Sequence, residues 1–436
     1  MKVAVIGAGA AGLGAAWALA QRHEVVLWDA DVRAGGHAHT LEVAGPDGPV
    51  AVDGGFIVYN EPNYPNLVRL FTALGVRTQA SEMSFAVSLD QGAYEYAGSP
   101  AGLFAQPANL LRPAHWRMVA EIPRFFRAAQ ALLAAGAEDD PLAGTLGQWL
   151  ARERFGPGFV EQHLLPMAAA IWSAPAAEIL DFPLPAFLRF FKNHGLLQAR
   201  DRPQWRTVSG GSRQYVARIL RALGPRALRL GQAVRRLEPA AGGWELVGAD
   251  GQREAAEAVV LACHADQALA ILDQGATARE QALLGAVRYS DNRAVLHGDR
   301  RLMPRRRRVW SSWNYLGERG GPGAVSVTYW MNRLQGLDPR LPLFVSLNPL
   351  VEPDPALTHA AWHCSHPIFD RAALAAQRAL PEIQGRRGLW FAGSWCGYGF
   401  HEDALASGLA VAAALGSPAP WQRPRELAPP LALAAE

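Results

Sequence analysis

At 436 residues, half of them hydrophobic and 19% charged, the chain is long enough for two domains and can bury a large core. This composition excludes disordered and fibrous proteins, and a formal net charge of +3 is too small to indicate a nucleic-acid partner. The three cysteines are scattered and show neither disulfide nor zinc spacing, so we expect a reducing compartment and no metal.

The first predicted elements form a nucleotide site. A short β-branched strand over residues 3–6 leads into a GxGxxG pattern, and an alanine-rich helix follows over residues 13–21. In this pattern the first glycine makes the tight turn, the second lets a pyrophosphate approach the backbone, and the third allows close helix packing. A second strand over residues 24–28 ends at an aspartate that is placed to bond a ribose hydroxyl. We assign to this site Gly7, Gly9, Ala10, Ala11, Gly12, Asp29 and Ala30.

The uncharged run after Lys2 could pass for a signal peptide, but its glycine spacing favours the nucleotide site. No other apolar run is long enough to span a bilayer. We therefore expect a cytoplasmic protein and leave open a contact with the cytoplasmic face of a membrane.

The residues after the second strand distinguish flavin from nicotinamide cofactors. Asp31, Arg33 and the pair Gly35 and Gly36 resemble the E-x-x-x-R-x-G-G extension of flavin-containing amine oxidases, phytoene desaturases and protoporphyrinogen oxidases. The resemblance implies FAD and places the glycine pair beside the pyrophosphate and the flavin. Many members have arginine at the next position, where this chain has His37. That difference leaves open whether His37 contacts a phosphate or carries a covalent flavin.

Two later segments resemble the rest of the same cofactor domain. A helix predicted over residues 213–223 and a strand over residues 227–230 lead to Val234, whose backbone contacts adenine in the resembled enzymes. A strand at residues 388–391 then precedes a segment that looks like the F-A-G … G … E-x-x-x-x-S-G flavin motif. That motif directs a helix N-terminus at the flavin, where reduction places negative charge. It implies cofactor contacts from Gly393, Phe400, His401, Glu402 and Asp403.

These patterns predict an α/β fold, with a Rossmann-like FAD-binding domain of the amine-oxidase type interwoven with a substrate domain of mixed sheet and helices. The FAD-binding domain is predicted over residues 1–70, 205–285 and 385–416, the substrate-binding domain over residues 71–204 and 286–384, and a disordered tail over residues 417–436. Residues 105–200 are predicted to be mostly helical, and strands are predicted over residues 294–296, 309–315, 325–330 and 343–347.

The segment after the predicted hairpin turn at residues 46–48 joins the two domains. By resemblance, Gly54, Gly55 and Phe56 belong to the cofactor site, and Tyr59 enters the substrate cavity.

Two features bear on the substrate. The aromatic run over residues 182–191 is either a core helix or a wall of a lipid entrance. The four arginines of residues 305–308 form either a solvated loop or a contact for anionic lipid headgroups.

The whole chain except its tail resembles a bacterial branch of this superfamily, through segments such as residues 53–60, 261–269 and 397–403. Members of that branch are often encoded near cyclopropane-fatty-acid-synthase-like methyltransferases, and some are implicated in desaturating methylated acyl chains towards furan fatty acids. The resemblance implies an FAD-dependent dehydrogenase or desaturase of membrane-lipid acyl chains. For proton transfer it favours His401 and Glu402, with Tyr59, His194 and Tyr398 as further candidates.

Two alternatives remain at this point. An amine or polyamine oxidase would need an anionic or aromatic pocket, for which Trp172, Trp205, Trp310 and Trp313 are candidates. The other alternative is a non-catalytic flavin-binding partner of a methyltransferase or an oxygenase. In all of these readings we expect non-covalent FAD, although Cys396 is a second candidate for a covalent link.

Overall fold

The structure is a computed structural model, described over residues 1–136, 144–172, 176–198, 202–319 and 326–422. The strands within these ranges are β1 (Lys2–Ile6), β2 (Glu24–Asp29), β3 (Thr40–Gly45), β4 (Gly48–Asp53), β5 (Tyr59–Asn60), β6 (Thr78–Ser81), β7 (Phe85–Leu89), β8 (Tyr94–Ala97), β9 (Trp205–Val208), β10 (Leu228–Leu230), β11 (Val234–Ala240), β12 (Gly243–Gly248), β13 (Arg253–Ala256), β14 (Ala258–Leu261), β15 (Arg288–His297), β16 (Trp313–Gly317), β17 (Ser326–Trp330), β18 (Phe344–Leu347), β19 (Thr358–Ile368) and β20 (Leu389–Phe391).

The helices within the same ranges are α1 (Ala10–Leu19), α2 (Pro65–Leu74), α3 (Pro100–Leu103), α4 (Pro113–Ala134), α5 (Leu146–Arg152), α6 (Pro157–Phe159), α7 (Leu165–Trp172), α8 (Ala176–Leu180), α9 (Leu184–Asn193), α10 (Arg213–Leu223), α11 (Ala265–Leu272), α12 (Ala278–Leu284), α13 (Met331–Gln335), α14 (Arg371–Ala379) and α15 (His401–Ala414).

The first layer is a parallel sheet in the order β10-β2-β1-β14-β20. Its central strands are runs of Val, Ile and Leu because both faces are covered. Val3 and Val5 face a core shared with α1, α10 and α15, whereas Ala4 and Ile6 face a second core that includes α11, α12 and α14. Because all five strands run parallel, their carboxyl ends lie at the same edge of the sheet, which is where ligands bind in such folds.

The second layer is a seven-stranded sheet in the order β19-β15-β18-β17-β16-β7-β8. The sheet is mixed, because β16 and β7 pair in parallel while all the other neighbouring strands of this sheet pair antiparallel. The helices from α4 to α9 pack beside it around a core rich in phenylalanine. The predicted fold class, an α/β nucleotide domain combined with a mixed-sheet and helical part, is confirmed; the domain boundaries stay a prediction.

The structure differs from the sequence-based elements in three places. Residues 309–315 do not form one strand, because Arg307–Val309 is a 3-10 turn and the strand begins at Trp313. The eleven-residue β19 was not predicted, since its residues are mostly half-buried and do not alternate clearly between apolar and polar.

The predicted disordered tail was wrong for residues 417–422. Ser417 donates a hydrogen bond to the Ala18 carbonyl (2.6 Å), and the Trp421 ring stacks on Trp17 with centroids 5.7 Å apart. The Trp421 indole also donates to Asn66 (3.0 Å), so this segment is fastened to the nucleotide domain. The rest of the predicted tail, residues 423–436, lies outside the described residues. In the described ranges, none of the helices has both the length and the hydrophobicity needed to cross a bilayer.

Candidate functional site

A cavity of about 1910 Å³ lies between the two layers. Ordinary ligand pockets measure roughly 300–1,000 Å³, so this cavity has room for more than one ligand. We call the part at the edge of the parallel sheet the dinucleotide lobe; its lining includes Gly7, Gly9, Ala10, Ala11, Asp29, Ala30, Arg33, Gly36, His37, Val234 and His264. We call the part beside the helices the apolar lobe; its lining includes Leu103, Val119, Ile122, Pro123, Phe126, Met167, Ile171, Phe190 and Leu196.

The N-terminus of α1 opens into the dinucleotide lobe without a side-chain cap. Its first N–H groups are therefore available to an anion, and the helix dipole favours one there. A Cβ on Gly9 would meet no atom within 4 Å, whereas a Cβ on Gly12 would come 1.8 Å from the Gly7 carbonyl oxygen. Gly9 thus leaves space for a ligand. Gly12, which does not line the cavity, allows α1 to pack closely on the turn at Gly7.

Asp29 ends β2 and lines the dinucleotide lobe. Its carboxylate accepts hydrogen bonds from the Ala8 N–H (2.6 Å) and the Asp31 N–H (2.8 Å), which fix its position. Burial raises the pKa of Asp29 although these bonds oppose the shift. A carboxylate held at this strand end is positioned for a ribose hydroxyl.

The loop after β2 is braced by Arg33, whose guanidinium donates to the carbonyls of Gly36 (3.0 Å) and Ala38 (3.3 Å). Gly35 has a φ of +124°, which requires glycine, and it lies behind the lining rather than in it. His37 follows the pair and is exposed into the lobe, and desolvation lowers its pKa to about 3.

Three potential metal ligands meet beside this loop, which the sequence did not suggest. The ligand atoms of His37, Cys364 and His366 lie within 4.8 Å of one another. Burial raises the pKa of Cys364 to about 11, and the Asn292 amide donates to His366 Nδ1 (3.0 Å), which places the imidazole proton on Nε2. The three groups are therefore a neutral thiol and two neutral imidazoles, and the imidazole of His366 is already hydrogen-bonded to Asn292.

A buried carboxylate joins three separated segments around the cavity. Asp53 accepts hydrogen bonds from Thr40, from the Ser212 N–H and hydroxyl, and from Gln335. It thereby fixes the turn in which a Cβ on Gly55 would come 2.2 Å from the His37 carbonyl oxygen. Burial raises the pKa of Asp53 to about 6.

The N-terminus of α15 also points at the cavity. Gly393 and Phe400 line the cavity, and the Asp403 carboxylate caps the helix by accepting from the Phe400 N–H (2.9 Å). The close contact of α15 with α1 depends on glycine, because a Cβ on Gly408 would come 2.0 Å from the Ala11 carbonyl oxygen. Two helix N-termini therefore converge on one space.

The predicted catalytic residues are placed differently from the expectation. His401 lines the cavity, but its ring stacks on Phe56 (3.9 Å) and its Nε2 bonds the hydroxyl of buried Tyr215 (2.7 Å). Burial lowers the pKa of His401 to about 3. The imidazole is thus part of the packing around the cofactor space, a geometry that disfavours its predicted role as a free base, and that role stays a prediction.

Glu402 and Tyr59, the other two predicted catalytic residues, are also engaged in structural contacts. Glu402 accepts hydrogen bonds from the N–H groups of Asn66 (2.9 Å) and Leu67 (3.0 Å) at the start of α2, so it caps that helix. Tyr59 is 3% exposed and packs edge-on against Phe71 (5.4 Å) in the nucleotide-domain core.

Neither Glu402 nor Tyr59 lines the cavity, and the same holds for four residues assigned to cofactor contacts or a covalent link: Gly12, Gly35, Asp403 and Cys396. Cys396 is half-buried and outside the cavity lining, and desolvation raises its pKa above its usual range, so a covalent link there does not fit.

The apolar lobe presents two histidines that face it from helices. His194 ends α9, and its Nδ1 lies 3.0 Å from the Phe190 carbonyl, which can only accept, so Nδ1 carries the proton. The opposite nitrogen, Nε2, is then unprotonated and has no hydrogen-bond partner within the described residues; its ring stacks on Phe190 (3.9 Å) and lies 5.3 Å from Phe400. Desolvation lowers the pKa of His194 to about 4, so the ring is neutral at pH 7.

The second histidine, His163, belongs to the π-helical turn Val160–Leu164. Its Nδ1 lies 3.0 Å from the Tyr96 hydroxyl, and its ring neighbours Phe159 rather than the cofactor end. π-turns are frequent at functional sites, but no sequence signal marked this one.

The cavity also carries a basic rim where β6, β9 and the segment after the arginine run meet. Arg202, Arg308 and Arg333 line it, with Glu82 as the carboxylate ion-paired to Arg333. Arg333 also donates to the Trp310 carbonyl (3.2 Å). Arg202 precedes β9, Arg308 ends the arginine run and Arg333 lies in α13, so no common motif marks the three as one site and the rim was missed.

The two features left open by the sequence now have definite places. The aromatic run is mainly a core helix, since Phe187, Leu188 and Phe191 are fully buried, although Phe190 reaches the cavity. In the arginine run, Arg306 pairs with buried Glu95 (2.9 Å), and Arg307 stacks over Trp310 (3.8 Å). The run is therefore tied to the protein, with Arg305 and Arg308 exposed.

The dinucleotide lobe fits FAD. It offers an uncapped helix N-terminus for a pyrophosphate, a cradle at Gly9 that a Cβ would enter, and a fixed carboxylate at the end of β2. His264, at the carboxyl end of β14, is a further lining residue that strand order alone could have indicated.

The sequence model described as "Flavin containing amine oxidoreductase" matches residues 10–298. Among solved structures, a double mutant of putrescine oxidase is similar at 18% identity and a TM-score of 0.70, with 95% of this chain and 98% of that chain covered. Cyclohexylamine oxidase from Brevibacterium oxydans IH-35A is similar at 19% identity and 0.69, with 95% and 99% covered. A CLA-producing fatty acid isomerase from P. acnes is similar at 15% identity and 0.66, with 95% and 97% covered. These likenesses show a shared fold. No curated protein sequence matches the chain.

Proposed function

This chain belongs to the flavin-containing amine oxidoreductase family and is an oxidoreductase that binds FAD non-covalently, and we propose that it dehydrogenates the acyl chain of a membrane lipid. The observation that supports this substrate is the apolar lobe. One face of α4, formed by Val119, Ile122 and Phe126, lines it together with Met167 and Ile171. An acyl chain has few polar groups, so its binding must come from burial, at roughly 0.8 kcal/mol per CH₂.

Bound FAD supplies a two-electron oxidant that accepts hydride at the flavin N5. The adjacent carbon must lose a proton at the same time, and we assign its acceptor to His194 rather than to His401. His194 Nε2 is unprotonated and belongs to a lining residue whose ring lies 5.3 Å from Phe400, whereas His401 Nε2 is already bonded to Tyr215. Loss of the hydride and the proton would leave a double bond between the two carbons.

The charges at the cavity favour an anionic lipid over an amine. In the described lining, the carboxylates are Asp29 and Asp31 in the dinucleotide lobe and Glu82, which is paired with Arg333. A cationic substrate would therefore meet unbalanced arginine at the rim, while a carboxylate or a phosphate would be attracted there.

Two of the four tryptophans proposed for an amine cage already make other contacts. Trp172 packs among phenylalanines such as Phe190 (4.6 Å), and Trp310 already carries Arg307. Trp205 and Trp313 remain in the lining. Among the similar structures, the fatty acid isomerase shows that the fold also serves enzymes named for a fatty acid.

An anaerobic absorbance titration of the purified protein tests the proposal. We expect the flavin band near ~450 nm to bleach when methylated, monounsaturated phospholipid is added. Putrescine and cyclohexylamine are the matched controls, and bleaching by these amines alone would replace the lipid with an amine. A flavin that neither class reduces, in a protein that copurifies with a methyltransferase or an oxygenase, would indicate a non-catalytic subunit.

A further inference from the structure

Three large apolar side chains are exposed close together just before the lining face of α4. Leu110 is 53% exposed, Leu111 87% and Trp116 48%. They belong to a 3-10 turn, Pro107–Leu111, and to the first turn of α4. Exposed apolar clusters of this kind mark interaction surfaces. We call residues 104–117 the apolar tip.

The apolar tip is rigid and is held with these side chains outward. Asn109 is fully buried, and its amide donates to the Glu95 carbonyl (2.9 Å). Gln106 is buried beside it and accepts from the Glu95 N–H (2.7 Å). The Trp116 indole donates to the Leu110 carbonyl (3.0 Å), so the exposed rings and chains share one surface.

The surface of the tip is continuous with the apolar lobe. Trp116 lies one helical turn before Val119, and Val119, Ile122 and Phe126 follow on the face that lines the lobe. At the other end, Trp116 contacts the ring of Phe104 (4.7 Å), which follows the lining residue Leu103. An acyl chain can therefore pass from the tip into the lobe along apolar side chains.

Arginine surrounds the tip. Arg112 donates to the Ala93 carbonyl (3.1 Å) and Arg306 to the neighbouring Gly92 carbonyl (2.8 Å), so the arginine run of residues 305–308 lies beside the tip. The adjacent carboxylate, Glu95, is buried and neutralised by Arg306. Among the described residues, exposed Arg117, Arg305 and Arg308 have no ion-pair partner, which leaves an uncompensated positive surface.

We propose that the apolar tip docks this protein onto an anionic phospholipid bilayer and delivers the acyl chain to the apolar lobe. The combination of exposed Leu and Trp with surrounding arginine fits the boundary between headgroups and acyl chains, as in monotopic membrane proteins. The delivery step rests on the proposed function, whereas the docking does not. The cytoplasmic leaflet, which is anionic, is the surface this chemistry fits.

Co-sedimentation of the holoprotein with vesicles tests the docking. We expect binding to vesicles of phosphatidylcholine with phosphatidylglycerol, weaker binding to phosphatidylcholine alone, and loss of the difference at high salt. The Leu110→Ser, Leu111→Ser double variant should bind at least about ten-fold more weakly, because it removes two leucine side chains that the bilayer would bury. Leu350→Ser, Val351→Ser is the matched control, since these residues are 49% and 57% exposed and lie outside the cavity lining.

Two double variants that each remove two arginines test the contribution of the positive surface around the tip. Arg117→Gln, Arg305→Gln, two exposed arginines outside the cavity lining, should weaken binding to the anionic vesicles about twenty-five-fold, at about five-fold for each arginine. Arg221→Gln, Arg378→Gln, which removes exposed arginines of α10 and α14, should not. Flavin absorbance and the melting temperature show that each variant is folded.

The outcomes separate docking from catalysis. Absence of vesicle binding by the wild type, or an equal loss in the control variants, overturns the docking. Binding to an isolated protein partner without any vesicle binding would assign the tip to a protein instead. If vesicles bind as expected but lipid never bleaches the flavin, the docking stands and the proposed dehydrogenation fails.

Discussion

The two lobes of the cavity are lined by different parts of the protein. The dinucleotide lobe is made of backbone at strand ends and helix N-termini, where glycines such as Gly7 and Gly9 admit the ligand. The apolar lobe is made of side chains from α4, α7 and α9, which look like ordinary core residues in sequence. The first lobe is therefore encoded by local spacing, and the second only by which helices the fold brings together.

The largest expected effect follows from the backbone character of the first lobe. Gly9→Ala should leave the fold intact, since its Cβ meets no atom within 4 Å, but should fill the space for the pyrophosphate. We expect FAD to bind about 100-fold more weakly or worse, equivalent to ~2.7 kcal/mol. Absorbance after gel filtration measures the bound flavin.

Gly275→Ala is the matched control for that change, because its Cβ also meets no atom within 4 Å and Gly275 is outside the cavity lining. Equal flavin loss in both variants would mean that the phosphates do not pass Gly9, and the assignment of the dinucleotide lobe would have to move.

The same contrast explains which residues the sequence could identify. Asp29 was found because strand, turn and helix follow each other within thirty residues. His194 and Arg333 were harder to place, because their partners are a carbonyl one turn back and a carboxylate 251 positions away. Position in a motif is not enough to place a side chain: Glu402 belongs to the flavin motif in sequence, yet its carboxylate caps α2.

A second prediction concerns the chemistry of the apolar lobe. His194→Gln should lower kcat by about 10²–10⁴-fold, the usual loss for a general base, with little change in KM. His163→Gln is the control, since His163 is also a neutral histidine in the lining, with a pKa lowered to about 4, but lies away from Phe400. An equal loss in both variants would indicate that the lobe needs histidine for packing only.

The pH profile sharpens this prediction. A base must be unprotonated, and burial lowers the pKa of His194 to about 4. Activity of the wild type should therefore persist as the pH falls below 6.5 and should decline only towards pH 4. An acid limb near 6.5 would point to an exposed histidine instead.

A third, smaller effect is expected at Glu402, which caps α2 outside both lobes. Glu402→Gln replaces an acceptor for the N–H groups of Asn66 and Leu67, so α2 should lose about 1–3 kcal/mol of stability. Denaturant unfolding of the holoprotein measures this change. The kcat should stay within two-fold or so of wild type, because Glu402 is outside the cavity; a selective collapse of kcat would restore its catalytic role.

The smallest effect is expected from Tyr59→Phe, because the sequence places Tyr59 in the substrate cavity whereas the structure places it in the nucleotide-domain core. A catalytic tyrosine would lose its proton-transfer group in Tyr59→Phe and activity would fall by orders of magnitude. In the structure the ring packs against Tyr64 and Phe71, and within the described residues no group bonds its hydroxyl. Tyr59→Phe keeps that packing, so the free energy of unfolding should change by no more than about 0.5 kcal/mol and kcat should not change. Tyr59→Ala, which empties the same core site, should instead destabilise the protein by about 3–5 kcal/mol, so that the pair of variants separates a packing residue from a reacting one.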